Sequence, residues 1–249
     1  MSLQYSDTSA TGKDGILQRI EQKLGFPDAY ITGDATRLAQ FTGRANLALD
    51  KAYHIIFGAD GTAQFDDNNH TAYPVVKFNL VANQRDYSFT QDADSNLILA
   101  FHRVAILPSA TATLYQELEP FSEVDEKDND VITETTSAGV PWRYGKLATG
   151  LFLDPMPSYA ATNGLKVYVD REASYFVTTD TTKSPVFAGL YHDYIAIFAA
   201  YDYASANRLE AQETLKRDML EMEKAIEKHY SRREKDKRHI MTGKKINFI

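Results

Sequence analysis

Six histidines, His54, His70, His102, His192, His229 and His239, are the side chains best suited to acid–base or metal chemistry near neutral pH. None of them falls in an HxxxH, HxH or HExxH pattern, so a metal centre would have to be assembled from separate elements. Oxygen ligands cluster in DGTAQFDDNNH, Asp60 to His70, but the stretch lacks the alternating acids and the closing bidentate Glu of a calcium loop, and it reads as a solvated hairpin loop. Carboxylate pairs such as Asp66 with Asp67, or Asp125 with Glu126, lie in polar runs where solvation keeps their titration ordinary. His192 and Asp193 beside Tyr194 suggest an acid–base cluster, yet neighbours on a helix point different ways, and cap or surface roles suit them better. Cysteine is absent, which excludes thiol catalysis, disulfides and thiolate metal sites. No Gly-x-Gly-x-x-Gly, Walker-type loop or Gly-x-Ser-x-Gly occurs, so phosphate cradles and nucleophile elbows lack their local geometry. The residues point to no enzyme, no metal ligand and no cofactor, and no single histidine is expected to be essential for assembly.

Charge is more informative than catalytic spacing. The 249 residues carry a formal net charge of −7, yet SRREKDKRHIMTGKKINFI, residues 231 to 249, holds seven Lys/Arg against two Asp/Glu. The remaining 230 residues therefore carry −12. Within this tail, Arg232, Arg233, Lys235, Lys237 and Arg238 form the basic part, while Ile240, Met241, Ile246, Phe248 and Ile249 are large apolar side chains. Three readings fit: a docking segment that orders on a partner, a nucleic-acid arm, or a fraying helix end. Acids alternate with bases in RREKDKR, and INFI would be idle against DNA, so docking on a partner protein is favoured.

These residues must be positioned by elements of two periods. Ile16, Leu17, Ile20 and Leu24 predict a short helix with Asp14 as N-cap and Gly25 at its C-terminus. Asp34 caps a second helix with Leu38, Phe41, Ala45, Leu49, Ala52 and Ile56 on one face, ending near Gly58. From Gly61 to Ser184 the period changes to two: VVKFNL, LILAFHRVAIL, ATLYQEL, WRYGK, LFLD and LKVYV are strand candidates separated by turn-formers. Pro185 then opens a helical run, Ser184 capping it, with Leu190, Tyr194, Ile197 or Phe198, Tyr201 and Ala204 on one side. Past Arg208 the run continues with Leu215, Met219, Met222 and Ile226, as two helices or one bent helix of about 60 to 75 Å in all. Tyr191, Tyr194, Tyr201 and Tyr203 crowd this segment without Lys or Arg, which suits core and subunit packing better than base stacking.

The expected fold is α+β: residues 14–58 and 185–238 form a helical bundle, 61–184 an inserted antiparallel β-sandwich or barrel-like domain, and 239–249 an extended docking tail. At 43% hydrophobic residues the chain can bury a sizeable core. No basic-then-apolar leader and no membrane-length apolar run is found, so a soluble protein made in the cytoplasm, without membrane contact, is expected.

This order of features resembles the head-to-tail adaptor proteins of tailed bacteriophages, and in layout the tail-tube adaptors of short-tailed phages. The resemblance rests on VVKFNLVANQRDYSF, on ILAFHRVAIL, on LFLDPMP followed by LKVYVDR, and on PVFAGLYHDYI opening the terminal helices, and it spans Asp14 to His239. It implies a virion neck protein: a homo-oligomeric ring, usually of twelve copies, below the portal, a platform for tail or nozzle proteins, and a lumen that phage DNA crosses without specific binding. The acidic body suits such a path, because it disfavours phosphate. The β-domain is larger than in purely helical adaptors. The alternative is a β-domain that binds a ligand such as a glycan, or carries an activity, on a helical stalk.

Overall fold

A computed structural model describes residues 3–7, 14–59, 64, 68–92, 95–121 and 137–231. The chain divides into two compact units: Met1–Ala63 with Tyr175–Ile249, and Gln64–Ser174. Architecture is α+β, the helices lying in the first unit and the sheets in the second.

Helix α1 (Ile16–Leu24) buries Ile16, Leu17 and Ile20, the apolar face its spacing dictates. Its start differs from expectation. Gly15, not Asp14, is the N-cap, and the first amides are satisfied by the chain rather than by a side chain: Ile16 N–H donates to Gln4 O (2.9 Å) and Leu17 N–H to Tyr5 O (3.1 Å). A Cβ on Gly15 would lie 2.4 Å from Asp7 N, so only glycine lets this segment close in. Asp14 turns instead to Arg19 (2.7 Å). At the other end Gly25 adopts φ 68 and closes the helix through Phe26 N–H to Glu21 O, as expected.

Helix α2 (Ala35–Ala59) is capped by Asp34, whose Oδ1 accepts Arg37 N–H at 2.9 Å. It buries Phe41, Ala45, Leu49, Ala52 and Ile56 as its period requires. The later helical segment departs most from the sequence reading. Residues after Pro185 are not helical; a short 3₁₀ turn (Gly189–Tyr191) precedes α3 (Asp193–Asn207), so Ser184 and Pro185 do not open the helix, and Leu190 is 75% exposed instead of sharing the buried face. Arg208 then adopts the left-handed region (φ 54) and ends α3, with Leu209 N–H bonded to Ala204 O. Helix α4 (Gln212–Tyr230) runs back along α3: Tyr194 hydroxyl donates to Glu223 Oε1 (2.9 Å), and Ala188 N–H donates to Tyr230 hydroxyl (3.0 Å). The result is two antiparallel helices of about 22 and 28 Å, not a rod.

Helix α3 is apolar almost all round, and α1, α2 and α4 all pack against it. Its alanines at 196, 199, 200 and 204 let the neighbours approach closely. Helix α4 buries only Leu215, Ile226 and Tyr230; Met219 and Met222 are half-buried.

In the second unit, strands β1 (Val75–Leu80), β2 (Asp86–Ser88), β3 (Ile98–Ile106), β4 (Gln116–Glu117), β5 (Glu119–Pro120), β6 (Ala138–Gly139), β7 (Arg143–Leu147), β8 (Gly150–Asp154), β9 (Met156–Pro157) and β10 (Ala161–Arg171) form two four-stranded sheets, ordered β1-β10-β3-β4 and β2-β8-β7-β5, and a β6-β9 pair. Most pairings are antiparallel, as expected, but β5 runs parallel to β7 and β6 to β9. The period-2 residues of both large sheets, among them Val76, Val104, Ile106, Tyr144, Leu151, Leu153, Leu165 and Val167, meet in one core. Residues 175–183, read from sequence with the strands, belong to the helical unit: Phe176 stacks on Tyr5 (4.5 Å between centroids) and bonds Asn46 through its backbone.

Candidate functional site

All ten tail residues assigned to docking, Arg232, Arg233, Lys235, Lys237, Arg238, Ile240, Met241, Ile246, Phe248 and Ile249, lie outside the described residues, as do His239 and the acid pairs at 66–67 and 125–126. What is described is the root from which the tail departs. Helix α4 ends with Tyr230 buried and Ser231 N–H bonded to Glu227 O. Three stretches distant in sequence converge there: the N-terminal segment 3–7, the 186–192 loop, and the last turn of α4.

His192 joins two of them. Only 1% exposed, it accepts Leu3 N–H at Nδ1 (3.1 Å) and donates from Nε2 to Phe187 O (2.9 Å). One ring nitrogen must accept while the other donates, which requires the neutral imidazole. Burial pushes its pKa below the ordinary value, although the bond from Nε2 to Phe187 O opposes that shift. The cap or surface role read from the sequence is thus corrected: the ring is an internal bracket. Asp193, its neighbour, faces the other way and receives Arg19 (3.0 Å) and Lys23 (3.1 Å) from α1.

Tyr230 holds the third stretch. Its hydroxyl accepts Ala188 N–H, and His229 lies 5.2 Å from the ring of Tyr191. The loop so pinned presents two unburied apolar side chains, Val186 (47% exposed) and Leu190, beside the end of α4. The arrangement can anchor a segment. Leu3 and Tyr5, which fix the N-terminal segment, were missed by sequence reasoning, and their i, i+2 apolar spacing is the only local signal they carry.

The other arrangement with chemical potential lies in the β unit. His102 Nε2 and Asp170 Oδ2 are 2.6 Å apart, and Tyr73 stacks on the imidazole at 4.0 Å. Burial raises the Asp170 pKa, with His102 opposing the shift. A carboxylate–imidazole pair orients a base, but among the described residues no serine or threonine side chain is bonded to the ring to serve as nucleophile. Among the described residues no group of three or more His, Asp or Glu is arranged to hold a metal ion, and no helix is long and apolar enough to cross a membrane. No protein-family model matches this chain, and no curated protein matches it.

Proposed function

We propose that this chain is a structural head-to-tail adaptor of a tailed bacteriophage. In this reading it forms a homo-oligomeric ring of twelve copies beneath the portal, offers a platform to tail or nozzle proteins, and leaves a lumen through which DNA passes. Its helices act as a bundle and its two sheets as a β-sandwich. The observation that carries the reading is the division of labour along the chain: both ends build one helical unit, residues 64–174 fold as a separate β unit, and α4 leads straight into the basic and apolar tail. The tail then docks on the portal, with Ile240, Met241, Ile246, Phe248 and Ile249 as apolar anchors, each contributing about 1.5 to 3 kcal/mol when fully buried. Electron microscopy of the purified protein, alone and mixed with portal, tests the proposal: closed rings seated on the portal are expected, and a monomer that ignores the portal would refute it.

One observation favours the alternative of a ligand-binding β unit. Trp142, the single tryptophan, is 49% exposed and lies 4.5 Å from the guanidinium of Arg143, a flat platform of the sort that sugars stack on. Saccharide binding that is lost in Trp142→Ala, by a protein that stays monomeric, would favour it.

A further inference from the structure

The β unit is strongly acidic, with sixteen Asp/Glu against eight Lys/Arg over residues 64–174. Three of those eight cations nevertheless share one face. Lys77 on β1 is directly opposite Lys166 on β10, and Arg103 on β3 is opposite Tyr168, two residues along β10 on the same side as Lys166. The neighbours Val76, Leu165, Val167 and Val104 point the other way, into the core, so the three cations stand on the outer face, their backbone positions within about 12 Å of one another across three strands.

Like charges placed directly across a strand pair disfavour the sheet. Lys166 and Arg103 are also held upright. The Arg103 guanidinium lies 4.0 Å over the Tyr168 ring, and the Lys166 ammonium stands 5.0 Å from Tyr168 and 5.3 Å from Tyr115. The carboxylate nearest Arg103 is Glu117, at 3.7 Å and well exposed. Burial opposes ionisation of Tyr168, yet Lys166 and Arg103 outweigh it and lower the phenol's pKa, a sign of the positive potential at this spot. Side chains fixed on an aromatic floor lose little freedom when an anion arrives.

We infer that the outer face of the β1-β10-β3 sheet, with Lys77, Arg103 and Lys166, is a contact for the acidic surface of a second copy of this chain. A chain that carries a cationic face on an otherwise acidic unit supplies both halves of a complementary pair, and a contact between unlike surfaces propagates head to tail and closes into a ring. Nucleic acid fits less well: three cations neutralise about three phosphates, against about six to ten in tight salt-dependent binding, and the net charge of −7 on the chain disfavours the rest of the strand. This inference rests on the ring-forming reading above, and it names the surface through which copies meet.

Lys77→Glu tests it, because the change converts a repulsive cross-strand pair into an attractive one. Its melting temperature should equal or exceed that of the wild type, while the protein concentration at half-assembly, by mass photometry, should rise at least tenfold. Wild-type assembly should also weaken as salt is raised from about 0.05 to 0.5 M. Rings from Lys77→Glu at the wild-type concentration would overturn this contact and leave the ring reading standing. A wild-type chain that stays monomeric with and without portal would overturn both. Sub-micromolar duplex DNA binding by the wild type, lost in Lys77→Glu, would reassign the face to nucleic acid and overturn the inference.

Discussion

The two units differ in what holds their most telling polar side chains. In the helical unit several buried polar side chains bond to backbone, His192 to Leu3 and Phe187, Glu21 to Ile31 N–H (2.7 Å), Tyr230 to Ala188, and Gln18 to Asp7 N–H (3.0 Å), alongside side-chain pairs such as Tyr5 with Thr42 and Tyr194 with Glu223. In the β unit three arginines are held by other side chains: Arg143 by Asp154 (2.8 Å) between Phe121 and Trp142, Arg171 by Asp92 (2.6 Å), and the exposed Arg103 over Tyr168. Helices satisfy their own backbone internally, so their polar side chains are free to tie down loops and chain ends, whose amides would otherwise be orphaned. Sheets place side chains of neighbouring strands in direct opposition, so cross-strand pairs become the unit of stabilisation. The helical unit should therefore respond to proton concentration, and the β unit to loss of individual charged partners.

The largest expected effect falls on the β unit. Arg143→Ala strips the partner from Asp154, itself buried, and should cost about 3 to 5 kcal/mol, because one uncompensated charge remains in the interior. Denaturant titration followed by Trp142 fluorescence reads it, and a loss under about 1 kcal/mol would show that the pair is not the bracket it looks to be.

His192→Ala tests the helical half. Leu3 N–H and Phe187 O lose their bonds in a buried setting, at a cost of about 1 to 3 kcal/mol. Hydrogen exchange should show the amides of Leu3, Tyr5 and Ser6 opening first, with the β unit unchanged.

A smaller effect follows from pH. The folded pKa of His192 lies below its ordinary 6.5, so the unfolded chain binds the proton first as pH falls, and the stabilising contribution, full above about 6.5, is lost on acidification through that value toward the folded pKa. Glu21 acts in the reverse sense: burial raises its pKa above 4.5 despite the backbone bonds it accepts, so its effect on stability becomes more favourable as pH falls toward 4.5. The stability gap between wild type and His192→Ala isolates the first contribution and should shrink between pH 7 and pH 5.5; a gap that stays constant would mean that His192 does not set the response. Asp92 offers the contrast: burial raises it, but Arg171 and Asn96 prevail and its pKa is lowered, so its contribution persists until pH falls below about 3.8.

The smallest effect on stability, and the largest on assembly, is expected from removal of residues 240–249. The melting temperature should stay within about 1 °C of the full-length value, because in the docking reading this segment is too short to form its own core and orders only on a partner, while pull-down on portal should fail. Rings of truncated protein on the portal would remove the tail from the docking role.

Some of this was legible without coordinates. The Gly25 terminus, the Asp34 cap, the apolar face of α2 and the alternation of β1 and of LKVYV in β10 are encoded within a few residues, where spacing and conformational preference act directly. The segregation of charge into the tail is likewise a property of the chain itself. Other features had no local signature. Asp14 looks like a cap, and was displaced because backbone from residues 4 and 5 reached the same amides. Helix α3 starts eight residues past Pro185 and stops at an arginine in the left-handed region, a break that packing of α4 against α3 compensates. His192 reads as surface until Leu3, 189 positions away, is found against it. Lys77 and Lys166 each look like ordinary outward strand residues, and only the register sets them face to face. Local preference is settled by neighbours in sequence, whereas burial, pairing and the burden of like charge depend on which distant segments share a surface, and that was decided by the tertiary structure alone.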